Sequence, residues 1–202
     1  MKRRGIEKPA VCIDNGSGVI KIGFAGDTPP CPLVPTIIGK PRVRGKQMDG
    51  GMNINRNYMG CEAQKMRGVL NLEYPIENGM IKNWDQMIEI WDYCFKELQI
   101  KPKEHNFLIT EAPKTPNANR EKIVETFMDH YGARGVYVAT SGTLALYSAG
   151  KTTGVVCDSG DTVTHTIPVF EGFSMPHAIR KNFIGGRAIT DHLIELLQYD
   201  GI

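Results

Sequence analysis

Two short stretches of this chain repeat one pattern, and that repetition constrains the fold more than any other feature. Val11-Cys12-Ile13-Asp14-Asn15-Gly16-Ser17 is echoed by Val155-Val156-Cys157-Asp158-Ser159-Gly160-Asp161. Each reads as an apolar strand, an aspartate, a glycine turn and a returning strand, so each predicts a β-hairpin. The two aspartates lie 144 positions apart. That is the scale of a duplicated subdomain, not of a solenoid repeat. With 202 residues, 41% apolar and 23% charged, the chain is long and apolar enough to bury a core in one or two domains.

Glycine turns let backbone N–H groups approach an anion, because no Cβ intervenes. Two such turns facing each other would clamp a polyphosphate from both sides. Carboxylates beside a polyphosphate are repelled unless a hard cation lies between them, so Asp14 and Asp158 point to Mg²⁺ held through waters. Lys21, on the returning strand, is placed to neutralise phosphate charge, and Ser17 to donate to a terminal phosphate oxygen. A single Asp-x-Gly turn is commonplace, and Lys21 alone reads as a solvated strand residue; the matched pair of hairpins carries the argument. The chain contains neither the Gly-x-x-x-x-Gly-Lys-Ser/Thr P-loop nor the Gly-x-Gly-x-x-Gly of dinucleotide folds.

Between and beyond the hairpins, strands are expected to alternate with helices. Pro29, Pro30, Pro32 and Pro35 predict an extended or looped stretch after the first hairpin. Residues 39–60 are polar, glycine-containing and basic, and are expected to form a mobile excursion outside the core. A helix is predicted over 83–99, capped by Asn83, with Trp84, Met87, Ile88, Trp91, Phe95 and Leu98 in one apolar stripe. A strand at 107–109 follows. A second helix over 119–131 would turn Ile123, Val124, Phe127 and Met128 inward and stop at Gly132. Then come a strand at 136–139, a short helix at 141–149 and the second hairpin, 155–157 with 163–170. Thr190 would cap a last helix carrying Leu193, Ile194, Leu196 and Leu197. This alternation predicts an α/β fold.

Composition narrows the function classes. The cysteines, Cys12, Cys31, Cys61, Cys94 and Cys157, form no CxxC pair, so reduced thiols are expected and a zinc site is not. The 24 basic and 22 acidic side chains leave a net charge of +2. Two basic clusters stand out, Lys2, Arg3, Arg4 and Lys8 in one and Lys40, Arg42, Arg44 and Lys46 in the other. They read first as a solvated tail and a mobile loop, with an acidic partner as the alternative. Aromatic residues do not interleave with them, so nucleic acid is not an expected partner. No apolar run approaches 18 residues and the basic N-terminus precedes no apolar stretch, so neither a membrane span nor a secretion signal is expected. The expected setting is cytoplasmic.

The residues also resemble a known family. DNGSGVIKIGFAGD at 14–27 resembles the first phosphate hairpin of actins. YPIENG at 74–79, TEAP at 110–113, NREK at 119–122 and DSGDTVTHTIPVFEGFSMPHAI at 158–179 follow in the family's order and spacing. The IDNGSGVIK and EGFSMPH forms are closer to actin-related proteins of the centractin kind than to muscle-type actin. The resemblance implies an α/β actin/Hsp70/sugar-kinase (ribonuclease H-like) fold, with the first large domain and the start of the second. Residues 1–36 and 71–150 would form the first large subdomain and 37–70 an inserted small one with the mobile loop. Residues 151–184 would begin the second large subdomain and 185–202 the second small one. It further implies ATP or ADP with Mg²⁺ (or Ca²⁺) in a central cleft. Gly16, Ser17, Gly18 and Lys21 would contact phosphates from one side and Gly160, Asp161 and Val163 from the other. Asp14 and Asp158 would hold the metal's water shell, and His165 would join the network around an attacking water.

The departures shape the expected function. Within YVATSGTLALYSAG at 137–150, actins carry a glutamine that orients the hydrolytic water, and this chain has Ser141. A serine is too short for that role, and losing water positioning costs orders of magnitude in rate, so slow or absent ATP hydrolysis is expected. Asn78 replaces an often-methylated histidine, Thr162 a glycine of the second phosphate turn, and Ala188 an acidic residue after Arg187. The basic N-terminus replaces an acidic one, which disfavours conventional myosin. Full family members are roughly twice as long, and their adenine- and ribose-holding part would lie beyond Ile202. The leading expectation is an actin-like cytoskeletal subunit that assembles with actin or actin-like subunits and with actin-binding or complex-scaffold proteins. The alternative is a nucleotide-independent structural module of a dynactin-like, ciliary or chromatin-remodelling assembly. A sugar kinase-like enzyme using Asp161 as base is a third.

Overall fold

The computed structural model describes residues 8–28, 32–42 and 56–201. In chain order these form β1 (Val11–Asn15), β2 (Val19–Phe24), β3 (Leu33–Pro35), β4 (Ile38–Pro41), β5 (Tyr58–Met59), α1 (Gly60–Lys65), β6 (Leu70–Glu73), β7 (Ile76–Glu77) and β8 (Met80–Ile81). There follow α2 (Trp84–Glu97), β9 (Asn106–Glu111), α3 (Asn117–Glu125), β10 (Gly135–Thr140) and α4 (Ser141–Ser148). The last elements are β11 (Gly154–Ser159), β12 (Thr164–Phe170), β13 (Phe173–Ser174), β14 (Arg180–Asn182) and α5 (Gly186–Tyr199).

The main sheet runs β10-β9-β1-β2-β3. β9 and β10 pair parallel with each other and β9 pairs parallel with β1, while β2 and β3 return antiparallel, so the sheet is mixed. Parallel pairing needs a crossover, and α2 and α3 supply the helices. β1 buries alternate residues, Val11 and Ile13, as a half-buried strand must. Against this face α2 lays Met87, Ile90, Trp91, Cys94 and Phe95. Asn83 caps that helix by accepting the Gln86 N–H at 3.1 Å. Trp91 meets Phe127 edge-on at 5.0 Å, and Phe107 meets Phe127 at the same separation. Burial in this core pushes the Cys94 thiol up to about 12, and the described cysteines, Cys12, Cys61, Cys94 and Cys157, are free thiols.

A second, antiparallel sheet is built on the second hairpin: β11 and β13 pair with β12, as does β14. α4 covers it through Leu146, which clusters with Ile167, Val169 and Ile179. β4, β5 and β6 form a third small sheet over Ile37, Tyr58, Ala63 and Leu70.

Three expectations need correction. The excursion at 39–60 falls mainly on residues 43–55, outside those described. Its two ends fall in strands, 39–41 and 58–59, of the third sheet, where Gly39 packs so tightly that a Cβ there would lie 2.5 Å from a Leu70 methyl. The second helix begins at Asn117, and its end, Thr126–His130, widens to a π-helical turn. Ile123 and Phe127 are buried as expected, but Val124 and Met128 are 37% and 41% exposed. Each follows its buried neighbour by about 100° around the helix, and only one line of side chains reaches the sheet. Finally, α5 starts at Gly186, so Thr190 lies inside it and donates its hydroxyl to the Gly186 carbonyl at 3.0 Å. The start is early because Gly186 and Arg187 donate their N–H groups to the carbonyls of Gly160 and Asp161. The apolar residues of α5, among them Ile189, Leu193 and Leu196, are exposed.

Trp91 joins the core to the first hairpin, donating its indole N–H to Asn15 Oδ1 at 3.1 Å. Trp91→Ala is expected to destabilise by about 3–5 kcal/mol. Trp91→Phe keeps most of the packing and is expected to cost about 1–3 kcal/mol, the penalty of an unpaired buried amide oxygen. Urea unfolding of the two variants checks the order.

Candidate functional site

The internal repeat survives as strand register. Asp14 pairs opposite Lys21 in β1–β2, and Asp158 opposite His165 in β11–β12. A shift of 144 positions therefore carries Asp14 onto Asp158, Gly16 onto Gly160, Ser17 onto Asp161, Gly18 onto Thr162 and Lys21 onto His165. The two turns touch. Ser17 Oγ lies 2.8 Å from Thr162 Oγ1, and a Cβ built on Gly18 would lie 2.9 Å from Asp161 Cβ. The same shift exchanges these two contacts, so the hairpins meet about a local pseudo-two-fold axis, as two copies meet across an isologous interface.

Between the hairpins lies a cavity of about 430 Å³. On the first side it is lined by Asp14, Gly16, Ser17, Gly18 and Lys21. On the second it is lined by Asp158, Gly160, Asp161, Val163 and His165, and Ser141 at the start of α4 completes it. All the side chains and glycines singled out from the sequence thus meet in one place. Sequence reasoning passed over Asn15, Gly79, Thr110 and Glu111, which also line it. All four lay within quoted family motifs: Asn15 is second in DNGSGVIKIGFAGD, Gly79 ends YPIENG, and Thr110 and Glu111 open TEAP.

Each turn is pinned from behind. The buried Thr36 donates its hydroxyl to the Gly16 carbonyl at 2.7 Å and its N–H to the Gly18 carbonyl at 3.0 Å. On the other side, Gly160 N–H donates to the Val163 carbonyl at 2.9 Å. Gly16 N–H donates to the Asp14 carbonyl at 3.0 Å, so the amides of these two glycines are already used. What Gly16 supplies is space, since a Cβ there would lie 2.4 Å from the Val19 carbonyl oxygen. The amides of Ser17 and Gly18 on one turn, and of Asp161 to Val163 on the other, hydrogen-bond no other described backbone group.

The charges are paired. Lys21 donates to Asp14 Oδ2 at 2.7 Å, and Thr110 donates to its other oxygen at 2.6 Å. Arg187 donates to Asp161 Oδ2 at 2.6 Å and lies over the Tyr74 ring at 3.9 Å. Asp161 is therefore engaged by a guanidinium and is not offered as a base to a substrate hydroxyl. Ser141 donates to Asp158 Oδ2 at 3.3 Å. Glu111 is ion-paired to Arg120 through one oxygen. Its other oxygen has no partner among the described residues, and neither do Asn15 Nδ2 and His165 Nε2. Among the described residues no three His, Cys, Asp or Glu side chains cluster as a ready metal site. A cation between Asp14 and Asp158 would thus need waters and phosphate oxygens to complete its shell, which suits Mg²⁺ or Ca²⁺ better than zinc.

These features define an α/β chain with the actin-like fold, a mixed sheet with paired aspartate–glycine hairpins. The family model for actin matches residues 5–202, and the chain belongs to the actin family. Actin-family proteins generally bind nucleotide with a divalent cation, and the cavity's residue set fits that pair. No helix among the described residues is long and apolar enough to cross a membrane.

His165 is 2% exposed. Burial, and then the Lys181 ammonium, push its imidazole below the ordinary range, against a smaller opposing pull from Asp158. In the unfolded chain the ring titrates near 6.5. As pH falls through that value the unfolded chain takes up a proton that the folded one resists, so stability is lost. Thermal unfolding between pH 7.5 and 5.5 is expected to show this loss, at most about 1.4 kcal/mol per pH unit, and His165→Gln is expected to flatten it.

Proposed function

We propose that the cleft between the two hairpins takes the polyphosphate of ATP or ADP with Mg²⁺ (or Ca²⁺), and that the chain is an actin-like cytoskeletal subunit with weak or lost hydrolysis. The observation that carries this reading is where the unmet polar groups lie. The buried side-chain polar atoms without a partner among the described residues are Asn15 Nδ2, Glu111 Oε2 and His165 Nε2, and all three residues line this cavity. Buried polar groups are otherwise satisfied as a rule, so a cluster of exceptions marks a ligand site. A hydrated cation–phosphate pair offers acceptors to an amide and water donors to a carboxylate, and suits an imidazole nitrogen in either role.

Each residue has a role on this reading. The amides of Ser17, Gly18, Asp161 and Val163 and the Ser17 hydroxyl donate to phosphate oxygens, while Gly16 and Gly160 keep the wall thin. Lys21 exchanges Asp14 for phosphate, and Asp14 and Asp158 turn to the cation's waters. A divalent cation there supplies the charge that neutralises neighbouring phosphate oxygens. His165, kept neutral by burial, accepts from or donates to a water beside the outermost phosphate. Ser141 is short and its hydroxyl is bonded to Asp158, so it holds no water in line and hydrolysis is slow.

The same reading divides the chain into residues 1–36 with 71–150, 37–70, 151–184 and 185–202. It gives the chain actin or actin-like subunits and actin-binding or scaffold proteins as partners in a filament or larger complex of the cytoplasm. A nucleotide-independent structural module is the second reading, and the Ser17–Thr162 bond favours it by tying the turns together without a ligand.

Thermal unfolding with MgATP, MgADP and EDTA separates the two. The nucleotide reading expects an upward shift with either nucleotide, worth about 2.7 kcal/mol at a hundredfold excess over Kd. The shift is abolished by EDTA and weakened by Asp158→Asn, with little phosphate release. The absence of any nucleotide shift overturns it in favour of the structural module. Rapid Mg²⁺-dependent phosphate release lost in Asp158→Ala overturns the slow-hydrolysis part alone.

A further inference from the structure

Thr162 occupies, by the internal repeat, the place that Gly18 holds in the first turn. Gly18 is held to glycine by the approach of Asp161, whose Cβ would meet an added Cβ at 2.9 Å. At the mate position a full side chain is accommodated, and its hydroxyl is used. Thr162 Oγ1 lies 2.8 Å from Ser17 Oγ, the one side-chain hydrogen bond between the two turns among the described residues. Ser17 is 8% exposed and lines the cavity, whereas the half-buried Thr162 does not line it.

Two hydroxyls that share one hydrogen bond hold two protons between them. If Ser17 donates, its proton is spent on Thr162. If Thr162 donates, the Ser17 proton is left for the cavity, and the bond that Ser17 accepts makes it a better donor. An anionic oxygen in the cavity selects the second arrangement, because it takes the freed proton in a charge-assisted bond. The β-branched threonine also restricts its own χ1, so this hydroxyl is held in place more firmly than a serine's would be.

We infer that Thr162 is a positioning residue that acts through Ser17, presenting the Ser17 hydroxyl as a donor to the phosphate held between the turns. This rests on the polyphosphate reading of the cavity. A glycine at this position leaves Ser17 without that partner, so the threonine makes the grip on phosphate stronger and ties it to closure of the two turns.

A double-mutant cycle read by calorimetric titration of MgATP into the full 202-residue chain tests it. Thr162→Val, which removes the hydroxyl and keeps the shape, is expected to weaken binding about five- to tenfold, with Thr162→Ser restoring most of it. In a Ser17→Ala background, Thr162→Val is expected to have no further effect. Should the valine variant fail to fold, Thr162→Gly, which copies the mate turn, is read in the same cycle. Equal affinity of wild type and Thr162→Val, additive losses in the double variant, or no rescue by serine each overturns the inference while leaving the polyphosphate reading intact. No binding of MgATP by the wild-type chain overturns both.

Discussion

The approach of Gly18 to Asp161 is the contact on which the rest of this structure depends. Two turns far apart in the chain come so close that a Cβ on Gly18 would lie 2.9 Å from the Cβ of Asp161. A packed interior tolerates no such intrusion without displacement. Everything around the contact keeps both turns in place. β1 and β2 present the first turn at the end of the mixed sheet, and Thr36 holds its carbonyls. β11 and β12 present the second, and the start of α5 holds its carbonyls through Gly186 and Arg187. The cavity is the space left between two hairpins that touch at their turns, and both aspartates, Asp14 and Asp158, line it.

The charges around that space follow one rule. Each acidic side chain at its rim already has a positive or hydroxyl partner: Asp14 has Lys21 and Thr110, Asp158 has Ser141, Asp161 has Arg187 and Glu111 has Arg120. Apart from that of the buried Glu111, these pairs are part-exposed, and part-exposed pairs contribute little to stability. They are therefore cheap to exchange for a charged ligand, which is the behaviour a binding cleft requires. The fixed groups are different in kind, and Trp91 is the clearest case. It is buried in the aromatic core, yet its indole N–H ends on Asn15, so side-chain packing in α2 sets the position of a cavity-lining amide.

Much of this was legible in the residues. The hairpins, the Asn83 cap and the stripe on α2 each announce themselves through local chemistry, and a repeat that is real in sequence is real in register. The glycines and aspartates that the structure brings to one cavity were legible as a repeated spacing, whereas Val163, His165 and Ser141 were singled out only through the resemblance to actins. What was not legible depended on partners far along the chain. Thr190 has the chemistry of a cap, but the carbonyls of Gly160 and Asp161 start the helix five residues earlier, with Gly185 at the cap position. Val124 and Met128 have the chemistry of core, but only Ile123 and Phe127 face the sheet. Thr110 and Glu111 stood out only as part of the TEAP motif, with no sign of a role in the site, and they enter it because β9 lies beside β1 in parallel register. The Ser17–Thr162 bond spans 145 positions, and nothing in either neighbourhood forecasts it.

The most direct test of the central claim, one ligand gripped by both turns at once, is an amide NMR titration with MgATP. The account predicts that the signals of residues 16–18 and 160–163 move together along one saturation curve, with the Thr110 and His165 signals following them. Movement confined to one turn, or to residues remote from both, would contradict it.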